Sequence, residues 1–229
     1  MTDKTQITYL FDPLCGWCYG ASPLLAQLDA APGLTVVPIP TGLFSGTGAR
    51  VMDASFAAYA WSNDERIASM TGQPFTEDYR SGVLAKGGMM NSGPATLALS
   101  AVALTAPQRE LDALCAIQEA RYVKGLDVTS VAVLVTVLEG LGLEAAASHF
   151  VSPAADLMEF HKSRLVAAQT LMREFAVQGV PGVIVDDGSR KTLLRSQELF
   201  GDGTVISRLI RSGATDADGQ YHSNPATRG

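Results

Sequence analysis

The 229-residue sequence predicts an α/β fold in which a βαβ unit and a later ββα unit are separated by a long all-helical segment. Runs of β-branched and aromatic residues near both ends of the chain indicate the strands, and apolar residues spaced by three and four indicate the helices between them. Hydrophobic residues make up 47% and charged residues 17% of the chain, which predicts a globular protein with a sizeable core.

The first predicted unit is a strand, a helix and a second strand. Residues 7–11 are β-branched and aromatic, typical of a buried strand, and Pro13 ends it. Leucines at helical spacing predict a helix over about residues 16–31, and residues 34–40 predict the second strand. So compact a βαβ unit requires a right-handed crossover between parallel strands, which places the end of the first strand at the chemically active edge of the sheet.

The middle of the chain predicts a block of helices. Its segments show apolar residues at spacings of three and four, and turns containing glycine or proline separate them. These segments are residues 50–70, 95–104, 108–123, 129–141 and 154–178.

β-Strand character returns after this block. Residues 179–188 predict a strand that Pro181 opens and an Asp-Gly turn ends, and residues 190–195 predict its hairpin partner. A last helix is predicted from Ser196, its possible cap, with an apolar face that continues to residue 210.

The complete order of elements is that of a thioredoxin-like fold (βαβ … ββα) with a large all-helical insertion. Residues 6–41 and 179–211 are predicted to form the discontinuous core, and residues 42–178 the helical insertion domain. The polar residues 212–229 predict a flexible tail.

Charge and hydropathy argue against several partners. A net charge of -6 with no block of lysine or arginine is unfavourable for nucleic acid binding. The longest apolar stretch, residues 128–143, is too short and too interrupted to span a membrane. The polar N-terminus lacks the apolar segment of a secretory signal, so we expect a cytoplasmic protein, although a mature form without its leader would look the same.

Two of the three cysteines, Cys15 and Cys18, stand at the predicted strand-to-helix turn. This spacing near a βαβ unit is typical of a redox-active dithiol. The helix N-terminus stabilises a thiolate at Cys15, which we expect to be the exposed nucleophile, while Cys18 lies a turn deeper and resolves the mixed disulfide. Gly16 permits the turn and Trp17 adds apolar surface without a cation, which predicts a less oxidising pair than one with histidine there.

Two other interpretations of the pair are a structural role and half of a zinc site. A zinc site needs two more ligands, and the remaining candidates are scattered without ligand spacing: Cys115, His149, His161 and His222. We expect Cys115 to be a buried small residue and the histidines to lie at the surface. A structural pair would make the protein a binding module whose Cys15 resists alkylation.

Val180 and Pro181 open the strand that follows the helical block, where a thioredoxin-like fold places a cis-proline opposite the cysteines. A cis bond would keep a backbone group free to pair with an extended peptide. An ordinary trans proline at a strand start is the alternative, and the neighbouring Gly179 and Gly182 favour the cis form.

These features together resemble the DsbA family of thioredoxin-fold proteins, and more narrowly its FrnE-like branch. The resemblance rests on residues 11–20, FDPLCGWCYG, on the helical insertion and on residues 179–182, GVPG. It implies a thiol–disulfide oxidoreductase that acts on protein or peptide thiols, with Cys15 nucleophilic, Cys18 resolving and Pro181 cis. No bound cofactor is implied, and glutathione or another thiol is a possible reductant.

The sequence departs from this family at two positions. Gly16 stands where FrnE-like members commonly carry proline, which leaves the redox potential open. Tyr9 stands where several thioredoxin-fold enzymes bury an acidic residue, which leaves Asp12 or water as alternative proton acceptors.

A rival enzyme class has a similar architecture. Kappa-type glutathione transferases and chromene-carboxylate isomerases use a serine at the first cysteine position and act on small molecules with glutathione. The presence of both Cys15 and Cys18 favours dithiol chemistry, while an apolar helical insertion could still cover a small-molecule pocket.

Overall fold

The computed structural model describes residues 5–201 and 203–218. A four-stranded sheet has the strand order β2-β1-β5-β6. Its strands are β1 (Thr5–Phe11), β2 (Leu34–Pro40), β5 (Gly182–Asp186) and β6 (Lys191–Leu194). The short strands β3 (Arg50–Val51) and β4 (Met89–Met90) pair antiparallel in a second sheet. The order of elements agrees with the predicted βαβ, helical and ββα segments.

The helices follow the predicted periodicity with small shifts at their ends. They are α1 (Gly16–Asp29), α2 (Ala54–Thr71), α3 (Glu77–Tyr79), α4 (Gly93–Thr105), α5 (Glu110–Tyr122), α6 (Val131–Gly140), α7 (Glu144–Val151), α8 (Ala155–Glu174), α9 (Ser196–Leu199) and α10 (Thr204–Asp218). A π-helical segment, Arg80–Leu84, continues α3. The sequence analysis did not predict α3, α7, β3 or β4, because elements this short show too few repeats of the pattern.

The chain divides into two compact units. Among the described residues, the sheet unit comprises residues 5–9, Ala21–Val37 and the residues from Gly182 on. The helical unit comprises Leu10–Gly20 and Pro38–Pro181. The segment that carries both cysteines therefore groups with the helices by its contacts.

The sheet unit has an apolar core built from β1, α1 and β5. Ile7, Leu28 and Val183 are fully buried. The β5–β6 hairpin pairs Val183 with Leu194 and Asp186 with Lys191. The last helix continues to Asp218, past the start of the predicted tail, and residues 219–229 of that tail lie outside the described part of the chain.

The helical unit is packed around α4, whose alanines allow close approach of its neighbours. Ala95, Ala98 and Ala101 have no exposed surface. A buried ion pair joins Arg164 of α8 to Glu110 of α5, and Arg164 also donates a hydrogen bond of 2.8 Å to the carbonyl oxygen of Pro38. A buried guanidinium needs hydrogen-bond partners for its N–H groups. Since Glu110 and Pro38 supply them to Arg164, these bonds hold α8 against α5 and the end of β2.

One predicted surface residue belongs to this network. His161 was expected at the surface, but it is half-buried, and its Nδ1 lies 2.9 Å from the Oγ of Ser100. The two residues are 61 positions apart in sequence, so only the packing of α8 on α4 brings them together.

Candidate active site around the cysteine pair

Cys15 immediately precedes α1 and Cys18 lies in its first turn, so both sulfurs stand at a helix N-terminus. Both cysteines are free thiols. The sequence predicted an exposed Cys15, but only 8% of its surface is accessible, because the thiol lies in a cavity wall and beside the Val180 backbone. Cys18 has no accessible surface, so access falls from the first cysteine to the second.

The two thiols have different electrostatic surroundings. Burial raises the pKa of Cys18 well above its ordinary value, and its hydrogen bond with Cys15 raises that pKa further. In the dithiol form Cys18 therefore holds its proton, while Cys15 is the thiol that lies in the cavity wall.

The Val180 carbonyl lies beside the reactive thiol. The Sγ–H of Cys15 donates a hydrogen bond of 3.5 Å to the Val180 oxygen. The peptide bond between Val180 and Pro181 is cis. Two segments separated by 165 residues thus meet at one sulfur atom.

Asp12 holds the loop between β1 and the cysteines. Its carboxylate accepts hydrogen bonds from the backbone N–H of Leu14 at 2.9 Å, the N–H of Phe44 at 3.0 Å and the hydroxyl of Ser92 at 2.7 Å. Burial raises the pKa of Asp12, while these three donors lower it. Both oxygens of Asp12 thus accept hydrogen bonds that hold the loop in place.

An aromatic cluster packs against the same loop. Tyr122 stacks on Tyr19 with ring centroids 4.9 Å apart, and Phe75 and Tyr79 contact Tyr122 edge-on at 5.1 and 5.0 Å. The Tyr122 hydroxyl donates a hydrogen bond of 2.8 Å to the carbonyl oxygen of Leu14. This cluster fixes the backbone directly before Cys15.

A cavity of about 250 Å³ opens beside Cys15. Its wall combines aromatic side chains with two arginines, Arg50 and Arg121, and one carboxyl group, Asp64. Arg50 is exposed, and its guanidinium lies 5.6 Å from the Phe44 ring and 5.9 Å from the Phe56 ring. A cavity of this composition suits a small ligand or side chain with an apolar body and an anionic group.

Arg121 is a buried cation in the cavity wall. Its guanidinium lies 5.5 Å from the Tyr79 ring and 5.6 Å from the Tyr122 ring, with 1% of the residue exposed. Its Nε and Nη1 have no hydrogen-bond partner among the described residues. Burial lowers the pKa of Arg121, but the neighbouring tyrosines and Asp64 outweigh burial and raise it overall. The site therefore carries a permanent positive charge.

Asp64 projects from α2 toward the residue between the cysteines. The Tyr79 hydroxyl donates a hydrogen bond of 3.0 Å to its Oδ2. Burial raises the pKa of Asp64 to about 7, although Tyr79 and Arg121 counteract the rise. A Cβ built on Gly16 would lie 2.6 Å from its Oδ1, so this carboxyl leaves room only for glycine.

A third arginine contacts the dipeptide between the cysteines. Trp17 itself brings no cation, but the Arg66 guanidinium lies 5.4 Å from the Trp17 ring centroid. No local pattern indicates this contact, because Arg66 stands on α2 among other polar residues.

The other candidate residues do not gather into a site. Among the described residues no group of three or more histidine, cysteine or acidic side chains could hold a metal ion. His222 lies outside the described part of the chain. Cys115 was expected to be buried but is exposed, because it stands on the outer side of α5. No helix in the described ranges is long and apolar enough to cross a membrane.

Sequence reasoning missed the cavity residues Asp64, Arg121, Tyr122 and Arg50. They come from different elements of the helical block, and each is an ordinary polar or aromatic residue in its local pattern. The only local signal was Gly16, since a glycine between two cysteines leaves space for a side chain from elsewhere.

Comparison with known proteins places this geometry in a family. Residues 6–203 match the DSBA-like thioredoxin domain. The cytosolic disulfide reductase DsbM from Pseudomonas aeruginosa is 30% identical with a TM-score of 0.80, covering 92% of this chain and 98% of that one. The structure of DsbM with glutathione gives 29% identity, a TM-score of 0.76 and coverage of 92% and 99%.

A more distant structure shares the fold alone. A 2-hydroxychromene-2-carboxylate isomerase is 19% identical with a TM-score of 0.62, covering 92% of this chain and 98% of that one. A comparison with curated proteins found no match.

Proposed function

The chain belongs to the DsbA-like thioredoxin domain family of thiol–disulfide oxidoreductases, and we propose that it exchanges disulfides with proteins or peptides through Cys15 and Cys18. We further propose that it belongs to the FrnE-like branch of that family, which residues 11–20 and 179–182 resemble. The observation that carries the proposal is the asymmetry of the pair, in which Cys15 faces a cavity while Cys18 is fully buried behind it.

The reaction begins at Cys15. Its thiolate attacks one sulfur of a substrate disulfide, the substrate S–S bond breaks, and the departing substrate thiolate takes a proton. Cys18 then loses its proton and attacks the Cys15 sulfur, which releases the second substrate thiol and forms the Cys15–Cys18 disulfide. The substrate has gained two electrons and two protons, and the enzyme dithiol has lost them.

The groups around the pair have distinct roles in this scheme. Once Cys15 ionises, its S–H no longer donates to the Val180 oxygen, so that carbonyl becomes free to accept a hydrogen bond from an extended substrate. Gly16 and Trp17 tune the pair, and Val180 and Pro181 contact the substrate backbone. Because the Cys18 thiol resists ionisation, resolution depends on a proton acceptor near it, and water or Asp12 is the available choice.

We further propose that the protein works as a reductase in the cytoplasm and that glutathione or a similar small thiol returns its disulfide to the dithiol. The likeness to a cytosolic disulfide reductase and to its glutathione complex supports this direction. The cavity beside Cys15 suits an anionic thiol, because Arg50 forms no ion pair with any described carboxylate.

Disulfide exchange is tested by insulin reduction and by trapping. Cys15→Ser should abolish reduction, whereas Cys18→Ser should accumulate a mixed disulfide through Cys15, because the resolving thiol is lost. Mass spectrometry of the trapped adduct identifies the sulfur involved. Cys115→Ser is the matched control and should behave like the wild type. A rate no higher than that of free dithiol, together with no adduct, would refute the proposal.

The small-thiol reductant is tested at Arg50. Arg50→Gln should raise the glutathione concentration needed for half-maximal re-reduction by about 3- to 10-fold, because a rim cation attracts the glutathione carboxylates. The effect with uncharged dithiothreitol should be smaller. Arg80→Gln is the control. The Arg80 guanidinium also lies over an aromatic ring, 4.9 Å from the Trp61 ring centroid, but neither residue lines the cavity. Equal effects of both variants would contradict a glutathione subsite.

The alternative function is a glutathione-linked transferase or isomerase that acts on a small molecule. The cavity beside Cys15 is the observation that favours it. This alternative needs only one thiol, so it predicts saturable glutathione binding and an activity that survives Cys18→Ser. Loss of turnover in Cys18→Ser excludes it.

A further inference from the structure

We propose that Asp64 is a positioning residue of the cysteine pair. Its carboxyl group takes the space of a side chain at position 16, and its charge controls the ionisation of Cys15. The inference rests on the proposed function, because it concerns the same thiol exchange. Asp64 belongs to α2, far from the cysteines in sequence, and nothing in the Cys-x-x-Cys motif identifies it.

The geometry at Gly16 is the first step. The residues between two such cysteines lie against both sulfurs and usually supply the side chains that tune them. Here a Cβ on Gly16 would lie 2.6 Å from the Asp64 Oδ1 and 3.1 Å from the Ile67 Cδ1. The space is therefore already filled from α2, and the nearest polar group is a carboxyl.

The second step is that Asp64 and Cys15 share the cavity wall. Asp12 also lies near the pair, but it is absent from that wall, and its charge acts on Cys18. The three donors that bind Asp12 occupy both of its oxygens. Asp64 is thus the carboxyl group that faces the reacting side of the pair.

The third step concerns the charges that surround Asp64. The Tyr79 hydroxyl, on α3, donates a hydrogen bond to the Asp64 Oδ2. Arg121 and Tyr122, on α5, interact electrostatically with Asp64. Cys15, in the loop before α1, lines the same cavity. Arg121 is the permanent cation of this group, and Asp64 and Cys15 are the groups that can become anions near it. A negative charge on Asp64 and one on Cys15 would therefore lie in the same cavity wall and repel each other.

The sign of the effect follows from this repulsion between like charges. Burial raises the pKa of Asp64 to about 7, so the carboxyl is neutral below neutrality and negative above it. A negative Asp64 disfavours a thiolate at Cys15 and leaves the uncharged disulfide unaffected. An ionised Asp64 therefore makes the dithiol form less stable relative to the disulfide form, and the pair becomes a stronger reductant.

The direct test is Asp64→Asn, which keeps the size of the side chain and removes its charge. The rate of Cys15 alkylation is measured against pH in a Cys115→Ser background, together with the reduction potential. The half-maximal pH of alkylation should fall by about 0.5 to 1 unit, equivalent to 3- to 10-fold more thiolate below that midpoint. The reduction potential should become less negative.

The matched control is Glu65→Gln, which removes the same charge from the next residue of α2. Glu65 is exposed and outside the cavity wall, so its variant should keep the wild-type alkylation profile and potential. Equal shifts in both variants, or a folded Asp64→Asn with a wild-type profile, overturn the proposal. A wild type that does not cycle between dithiol and disulfide refutes the proposed function instead.

A measurement on the wild type decides the matter if Asp64→Asn does not fold. Coupling between two groups is reciprocal, so loss of the Cys15 thiolate must change the protonation of Asp64. Carbon NMR of the aspartate carboxyls should show a lower titration midpoint for Asp64 in the disulfide form than in the dithiol form. Identical midpoints in the two forms overturn the proposal.

Discussion

At the residue scale, the chemistry of the pair depends on how differently two identical side chains are placed. Cys15 keeps a contact with the cavity, and Cys18, three residues later, has none. Burial raises the pKa of Cys18, so the second thiol keeps its proton. Tyr122 and Asp12 hold the loop that sets this difference, one by a hydrogen bond to Leu14 and the other by three accepted bonds.

Gly16 gives a prediction at this scale. Gly16→Ala should lower the free energy of unfolding by about 1 to 3 kcal/mol, because its Cβ would lie 2.6 Å from the Asp64 Oδ1. Denaturant unfolding measures the change, and a second substitution, Asp64→Ala, should recover part of it by removing the obstructing oxygen.

The control for this substitution is Gly140→Ala at the end of α6. A Cβ there meets no atom within 4 Å, so the change should be neutral or stabilising. Equal destabilisation at both glycines would show that backbone effects, and not contact with Asp64, limit position 16.

At the scale of elements, the helical unit contributes to the site in two ways. Its helix α2 places Asp64 and Arg66 against the dipeptide between the cysteines, and α5 places Arg121 and Tyr122 behind it. Its last helix, α8, leads to the Val180 carbonyl beside Cys15 through a short connection. Ala176, at φ 52°, begins that connection.

The end of α8 gives the second prediction. The backbone N–H of Val177 donates a hydrogen bond to the Met172 carbonyl, and that of Ala176 donates to the Arg173 carbonyl. These bonds are typical of a helix end with a residue in the left-handed conformation, and that residue is usually glycine. Ala176→Gly should therefore raise the free energy of unfolding by about 0.5 to 1 kcal/mol.

The same substitution in the middle of α8 should have the opposite sign. Ala167 is exposed, and Ala167→Gly should cost about 1 kcal/mol, because glycine is a poor helix former. Thermal unfolding of both variants distinguishes the two effects, and a destabilising Ala176→Gly would contradict the assignment.

At the scale of the whole molecule, buried ionisable groups make stability depend on pH. Burial raises the pKa values of Asp64 and Glu110 to about 7, and it raises that of Asp12 as well. These carboxyls bind protons more tightly in the folded chain than in the unfolded one. For Asp64 and Glu110 the stability gained in this way is fully present below the unfolded pKa of about 4 and is lost as pH rises through the folded pKa of about 7.

The third prediction follows from this sign. The free energy of unfolding should be about 1 to 2 kcal/mol higher at pH 6.5 than at pH 8. Burial lowers the pKa of His161, which opposes the trend at lower pH, so the comparison stops at 6.5. Urea titrations at the two pH values measure the difference, and Asp64→Asn should reduce it. Greater stability at pH 8 would contradict the prediction.

Much of the architecture could be predicted because its signals are local. Apolar spacing in α4, α5, α6 and α8 and β-branched runs in β1 and β5 give the order of elements, and the DsbA-like thioredoxin fold follows from that order. The two-residue strands β3 and β4 escaped prediction, since two residues cannot display a period. The predictions of a buried Cys115 and of a His161 at the surface were wrong, because a pattern does not say which helix face is covered.

The sequence by itself determined the pair, its place at a strand-to-helix turn and the proline-containing segment after the helical block. These features depend on residues close together in the chain, where backbone preferences and side-chain spacing act directly. The tertiary structure alone decided what surrounds Cys15. Asp64, Arg121 and the Val180 carbonyl converge from segments far apart in sequence, and their effects on charge depend on burial and distance, which no local pattern contains.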